Sequence, residues 1–140
     1  MVEQKRVSKT ELMAFMENEF PQCPLDIDSI GDRACRVRRT IGFQQLRPGG
    51  TVSGPVLMEV ADAAMYVAIL SEIGLVALAV TTSLNINFLR KPDGKADVIA
   101  ECKLLKLGKR LVVGEVFLFS EGDDDAVAHV TATYSIPPQS

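Results

Sequence analysis

Glu59 and Asp62 stand in the middle of the most apolar stretch of a 140-residue chain. From 56 to 70 nearly every other residue is Ala, Val, Leu, Ile or Met. A carboxylate in such surroundings is costly unless it is paired or put to use, so these two acids are the first candidates for chemistry. Three residues apart, they occupy neighbouring parts of one helix face. Gly54 precedes the same stretch. At a helix N-terminus its N–H is one of the unpaired donors that favour negative charge, and the missing side chain lets another group come close. A carboxylate in this stretch can pair with a cation or take part in chemistry, and the rest of the chain has to show which.

The element that must carry these groups is a helix. Arg47, Pro48, Gly49 and Gly50 form a break before it. Pro55 falls in the first turn, where its missing N–H costs nothing, and Gly74 stops it. A helix apolar on almost every face has to be surrounded on almost every face. It is too short and too interrupted for a bilayer, which takes about 20 apolar residues. The reading is a helix buried inside the protein or its oligomer.

The rest of the chain supplies the cover. Residues 8–20 read as a short amphipathic helix, with Ser8 as cap, Glu11 three residues on, and Leu12, Phe15, Met16 and Phe20 at helical spacing. Residues 25–30 and 34–39 read as a hairpin about Gly31-Asp32, in which Cys35, Val37 and Arg39 alternate with Ala34, Arg36 and Arg38. After Gly74 the texture changes to strand period. Strands are expected at 76–89, 96–105, 111–119 and 126–136, with turns at 91–94 and 108–110. The acidic run 121–125 reads as a solvated connection, since a calcium loop would space its carboxylates over a longer stretch. The expected fold is α+β: two short strands and a four-strand meander making a curved antiparallel sheet around one central helix.

Composition narrows the function classes. At 140 residues the chain reads as one domain, 1–140, with an N-terminal segment 1–22 and a tail 137–140. A net charge of −3 argues against a nucleic-acid binder. The polar first residues lack a secretory h-region, so a cytoplasmic location away from membranes is expected. Cys23, Cys35 and Cys102 are odd in number and without metal spacing, and read as free thiols in a reducing compartment. His129 is the one histidine, insufficient for a triad or a metal site.

The segment Ser53-Gly54-Pro55-Val56-Leu57-Met58-Glu59-Val60-Ala61-Asp62, the strand from Thr81 through Asn85 to Arg90, the Gly108-Lys109-Arg110 turn and the final Thr131-Ala132-Thr133-Tyr134 follow one another in an order with a precedent. Across about 43–137 the sequence resembles hotdog-fold acyl-CoA thioesterases of the PaaI-like, phenylacetate-pathway branch. Their His-Gly-Gly-x4-Leu-Ala-Asp segment keeps its glycine-to-acid spacing here, with Ser53 at the His and Pro55 at the second Gly. A family Asn or Gln fifteen residues before the acid is Arg47 here.

The resemblance implies hydrolysis of an acyl-CoA to the free acid and CoA. Asp62 becomes base or nucleophile, the Gly54 N–H polarises the carbonyl, and Thr81 is the hydroxyl that assists the water. Gly54 and Asp62 are two turns apart, about 12 Å at ~1.5 Å per residue, too far to meet on one thioester within one chain. Antiparallel helices about a two-fold axis would bring Gly54 of one against Asp62 of the other. A homodimer with two shared sites is expected, and the family adds a dimer of dimers. Arg47, Ser53, Pro55 and Asn85 are carried over as substrate contacts. Arg90-Lys91 and Lys109-Arg110 would form a phosphate patch for CoA, and Met58, Met65 and Tyr66 an acyl pocket. Glu59 would pair with an arginine such as Arg47, or act on Asp62. Arg47 would clamp an anion or pair with Asp62 and silence it. No cofactor or metal is expected, CoA being part of the substrate. The alternatives are a non-catalytic acyl-CoA binding or sensing protein and a hotdog hydratase, the latter needing a histidine beside the acid.

Overall fold

The computed structural model describes residues 7–138, so the first six residues and the last two of the expected tail lie outside the described residues. Two helices, α1 (Lys9–Glu19) and α2 (Gly54–Ile73), accompany six strands: β1 (Asp26–Gly31), β2 (Ala34–Arg39), β3 (Val80–Phe88), β4 (Val98–Leu107), β5 (Leu111–Ser120) and β6 (Ala128–Ser135). The strands make one antiparallel sheet in the order β1-β2-β4-β5-β6-β3, curved around α2. This is the hotdog fold.

Two expectations need correction. Residues 76–79 are a turn region rather than strand, and β3 begins at Val80. The last four strands are also not a simple meander. β4, β5 and β6 are, but β3 pairs with β6 at the far edge, and β2 occupies the place beside β4. The reason is the connection 89–97, which is longer than a hairpin turn. Leu89 N–H and Arg90 N–H both donate to Val127 O, at 2.8 and 3.3 Å, Asp93 N–H donates to Ser120 Oγ at 2.9 Å, and Glu121 N–H donates to Asp97 O at 2.9 Å. The segment therefore runs across the ends of β6 and β5 before entering β4. Nine residues reach easily across three strand spacings of roughly 4.8 Å each.

α1 starts on the expected capping box, with Ser8 Oγ accepting from Glu11 N–H at 3.1 Å and Glu11 Oε1 from Ser8 N–H at 3.3 Å. It buries Leu12 and Met16. In α2 every residue from Ala63 to Ser71 is buried. Met65 lies in this core, its sulfur 3.6 Å from Cys102 Sγ and so close to β5 that a Cβ on Gly114 would stand 2.6 Å from it. It lines no acyl pocket. Tyr66 is core as well: its ring packs among Phe15, Phe20 and Tyr134, with centroids 6.2–6.3 Å away, and its hydroxyl donates to Ala77 O at 3.0 Å.

The N-terminal part of α2 differs. Pro55, Met58 and Glu59 are exposed and Asp62 is half-buried, which together make one open stripe along the helix. Beside it, β3 is an edge strand of nine residues with a free side. No helix among the described residues is long and apolar enough to cross a membrane.

Candidate active site

The loop into α2 is a tight hairpin. Arg47 N–H donates to Thr51 O at 2.9 Å, Gly50 N–H to Arg47 O at 3.0 Å, and Leu46 bridges Val52. Gly94 holds the 89–97 connection against this hairpin, because a Cβ there would stand 1.9 Å from Gly50 O. Ser53 then caps α2, its Oγ accepting from Val56 N–H at 3.4 Å and its O from Leu57 N–H at 3.3 Å. Pro55 has no N–H to offer. Gly54 N–H is left as the first-turn donor without an acceptor among the described residues. A Cβ on Gly54 would lie 3.1 Å from the Phe88 ring. Around this helix start, Arg47, Gly54, Phe88, Arg90 and Lys91 border a cavity of about 380 Å³. The arrangement joins a helix N-terminus to three cationic side chains and suits an anion or a developing oxyanion.

The second group lies two turns along α2. Asp62 Oδ1 accepts from Thr81 Oγ1 at 2.6 Å and from the Tyr134 hydroxyl at 2.8 Å, and Tyr134 also lies 3.0 Å from Asp62 O. Burial first, and then the Asp62 carboxylate beside it, push the Tyr134 phenol well up, so it stays a donor throughout the working pH range. Both donors act on one oxygen. Asp62 Oδ2 has no side-chain or backbone donor among the described residues, and the residue is half-buried. Such a carboxylate is oriented by one oxygen and has the other available to take a proton or to attack.

Glu59 does not pair with Arg47. It faces Cys23, whose thiol is pushed up to about 12 by burial and then by the Glu59 carboxylate, with Arg39 opposing. Nor does Arg47 silence Asp62, whose carboxylate is taken by Thr81 and Tyr134, while Arg47 borders the Gly54 cavity. Met58 is 40 % exposed on the open stripe. Asn85 pairs with Thr131 on the face of the sheet turned away from α2.

The expected single phosphate patch is corrected within one chain. Arg90-Lys91 follow the end of β3 that pairs with Ala128, whereas Arg110 O accepts from Ile136 N–H at the end where Ser135 pairs with Val80. The two pairs sit at opposite ends of the sheet. His129 is on the outer face, 2.9 Å from Glu115, so no histidine reaches Asp62 and the hydratase arrangement is absent. Among the described residues no cluster of His, Cys, Asp and Glu is built to hold a metal ion.

Two parts of the site have weak sequence signals. Tyr134 is on the helix-facing side of β6, where a buried phenol needs a partner. Cys23 follows α1 in a proline-bordered loop and shows no local pattern that would link it to Glu59.

The sequence profile of the thioesterase superfamily matches residues 49–127. Among solved structures, a protein from Silicibacter provisionally assigned as a thioesterase is 43% identical, covering 96% of this chain and 95% of its own, with a TM-score of 0.89. A single-residue mutant of the phenylacetic acid degradation protein PaaI from Thermus thermophilus is 25% identical over 89% and 99% of the two chains, with a TM-score of 0.72. A Streptococcus mutans protein solved with acetyl-CoA bound shares the fold at 18% identity, over 83% and 90% of the chains, with a TM-score of 0.72. No curated protein matches.

Proposed function

Because the chain belongs to the thioesterase superfamily, in its PaaI-like hotdog branch, and is a thioester hydrolase, we propose that its substrate is an acyl-CoA and that Asp62 performs the hydrolysis. The observation that carries this reading is the Asp62 carboxylate, oriented through Oδ1 by Thr81 and Tyr134 with Oδ2 open. Oδ2 takes a proton from a water as the water's oxygen bonds to the carbonyl carbon, or itself forms that bond. The carbonyl oxygen becomes an oxyanion and accepts from Gly54 N–H. As the tetrahedral intermediate collapses the C–S bond breaks and CoA leaves as thiolate. In the first course it takes back the proton held by Asp62 and the acid is released. In the second it is protonated by solvent and leaves an acyl–Asp62 anhydride, which a water hydrolyses to the acid and the free carboxylate. CoA enters as part of the substrate, and the reaction needs no cofactor.

The separation of the two groups requires a second chain. A homodimer in which the β3 edges pair antiparallel sets the open stripes of the two α2 helices face to face. Gly54 of one protomer then lies near Asp62 of its partner. The same operation moves the Arg90-Lys91 end of one sheet next to the Lys109-Arg110 end of the other, which restores one basic rim for the CoA phosphates. The long unpaired β3 edge supports this, since such edges are normally covered or paired. Two such dimers pairing into a tetramer, and a cytoplasmic location for a chain with three free thiols, belong to the same reading. The bound acetyl-CoA of the Streptococcus neighbour supports the substrate class.

Arg47 favours a second reading, acyl-CoA binding without turnover, because an added cation at the Gly54 cavity strengthens anion binding without chemistry. Thiol release from acyl-CoAs of short, medium, long and aryl type decides between them. Turnover that disappears in Asp62→Ala is the expected result, and tight binding with no turnover in the wild type overturns it.

A further inference from the structure

A second cavity, about 420 Å³, opens between α1 and the entry to the sheet. Its size is within the ~300–1,000 Å³ range of small-molecule sites. Met13, Met16, Phe20, Cys23 and Leu25 give it an apolar wall, and Arg39 is its cationic group. Arg39 shares the α2-facing side of β2 with Cys35, which bonds to Ala64 O, and with fully buried Val37. An arginine at that register position is anomalous, since every other inward residue of β2 is apolar. Its Nε is buried and has no hydrogen-bond partner among the described residues. Buried donors are normally satisfied; with Nε enclosed, the guanidinium is left its terminal nitrogens to meet a cavity ligand, and such a pair suits a planar, two-oxygen acceptor.

The cavity also adjoins the proposed chemistry. Cys23 lines it and faces Glu59, one helical turn before Asp62. Glu17 and Asp26 line the cavity too, but both are exposed, and solvent screens them in a way that it does not screen the buried Nε.

We propose that this cavity receives the acyl group and that Arg39 selects acyl chains ending in a carboxylate. The inference rests on the acyl-CoA reading for the identity of the chain's other end, and on the cavity and its orphaned donor for the rest. Arg39 binds the far end of the substrate and takes no part in bond breaking.

The test compares adipoyl-CoA with hexanoyl-CoA, which have the same number of carbons and differ at the terminus. The wild type is expected to favour adipoyl-CoA at least tenfold in kcat/KM. Arg39→Met should reverse the order, lowering kcat/KM on adipoyl-CoA more than tenfold relative to hexanoyl-CoA, and Arg39→Lys should fall between. Equal rates on both substrates in the wild type, or equal losses on both in the variants, overturn the selection by Arg39 while leaving hydrolysis in place. If neither substrate is hydrolysed, the thioesterase reading is what has failed, and binding of hexanoate against 1-hexanol, followed by ligand-observed NMR, reads the cavity directly. Hexanoate binding that is lost in Arg39→Met supports the carboxylate site. Hexanoate and hexanol binding alike overturns it.

Discussion

The two halves of α2 are both rich in apolar residues and have opposite surroundings. From Ala63 to Ser71 the helix is enclosed by its own sheet, and even Ser71 turns its hydroxyl inward to Ala68 O at 2.7 Å. From Gly54 to Asp62 the chain leaves Pro55, Met58, Glu59 and Asp62 uncovered. Apolar content alone does not tell the enclosed half from the open one. What separates them is where the polar groups stand: between Ala63 and Ser71 only the Tyr66 phenol ionises, Glu72 just beyond accepts from Arg33 N–H at 3.0 Å, and the open half holds Glu59, Asp62 and the N–H of Gly54. One half fixes stability and the other offers chemistry.

The contrast is sharpest in a pair of substitutions. Asp62→Asn keeps an acceptor for Thr81 and Tyr134 and removes the basic oxygen. The expected loss in kcat is about 10²–10⁴-fold, with little change in the thermal midpoint. Leu70→Ala empties a fully buried site and should cost ~2–5 kcal/mol of stability, with kcat per folded site unchanged. Thiol-release kinetics beside denaturant unfolding measures both. A large rate loss in Leu70→Ala, or none in Asp62→Asn, would erase the distinction between the halves.

How far the sequence foretold this depends on the range of the interactions. Helix α2 was legible because its boundaries are local: Ser53 and Pro55 at one end, Gly74 at the other. The period of two in β4, β5 and β6 was legible for the same reason. The position of β3 was not, because strand order is set by the nine-residue connection 89–97 and its bonds to Val127 and Ser120, which have no local signature. At the site, Asp62, Gly54 and Thr81 were named from spacing and resemblance, and the bond from Thr81 to Asp62 joins two of them. Tyr134 is 72 positions from Asp62, and only tertiary structure brings them together. The same holds for Cys23 against Glu59, and for the two basic pairs that seemed neighbours along the chain and are separated by the length of β3.

Tyr134→Phe tests the border between the halves, since its ring packs on Tyr66 in the core while its hydroxyl holds Asp62. Packing should survive. Losing one hydrogen bond to a charged group is worth ~1.5–3 kcal/mol at most, so kcat should fall roughly tenfold to a hundredfold and KM should change little. A larger effect on stability than on kcat would assign Tyr134 to the enclosed half.

Cys23 gives a pH-dependent version of the test. Its folded thiol is raised from 9.0 to about 12. The neutral thiol is therefore favoured by folding, and the associated stability is complete below pH 9 and is lost as pH climbs toward 12. Cys23→Ala should flatten that part of the profile, read as the wild-type-minus-variant difference in thermal midpoint between about pH 8 and pH 11. An unchanged difference would mean that neither burial nor the Glu59 carboxylate raises the thiol.

The smallest effect belongs to the basic rim. Arg90 is exposed and its Nη1 lies 3.4 Å from Asp125 Oδ2, so the acidic loop already competes for it. Exposed pairs of this kind are worth ~0–1 kcal/mol, which limits the change to about fivefold. Lys91→Ala should raise KM for acyl-CoA within that limit, and Asp125→Asn should lower it by freeing Arg90. Both changes should shrink between low salt and about 0.5 M salt, as screening removes the attraction to the CoA phosphates. A pantetheine thioester without the nucleotide phosphates should show neither. If Lys91→Ala raises KM equally for both substrates and at both salt concentrations, the rim acts through the shape of the Gly54 cavity and not through charge, and the open half of α2 would owe its selectivity to packing after all.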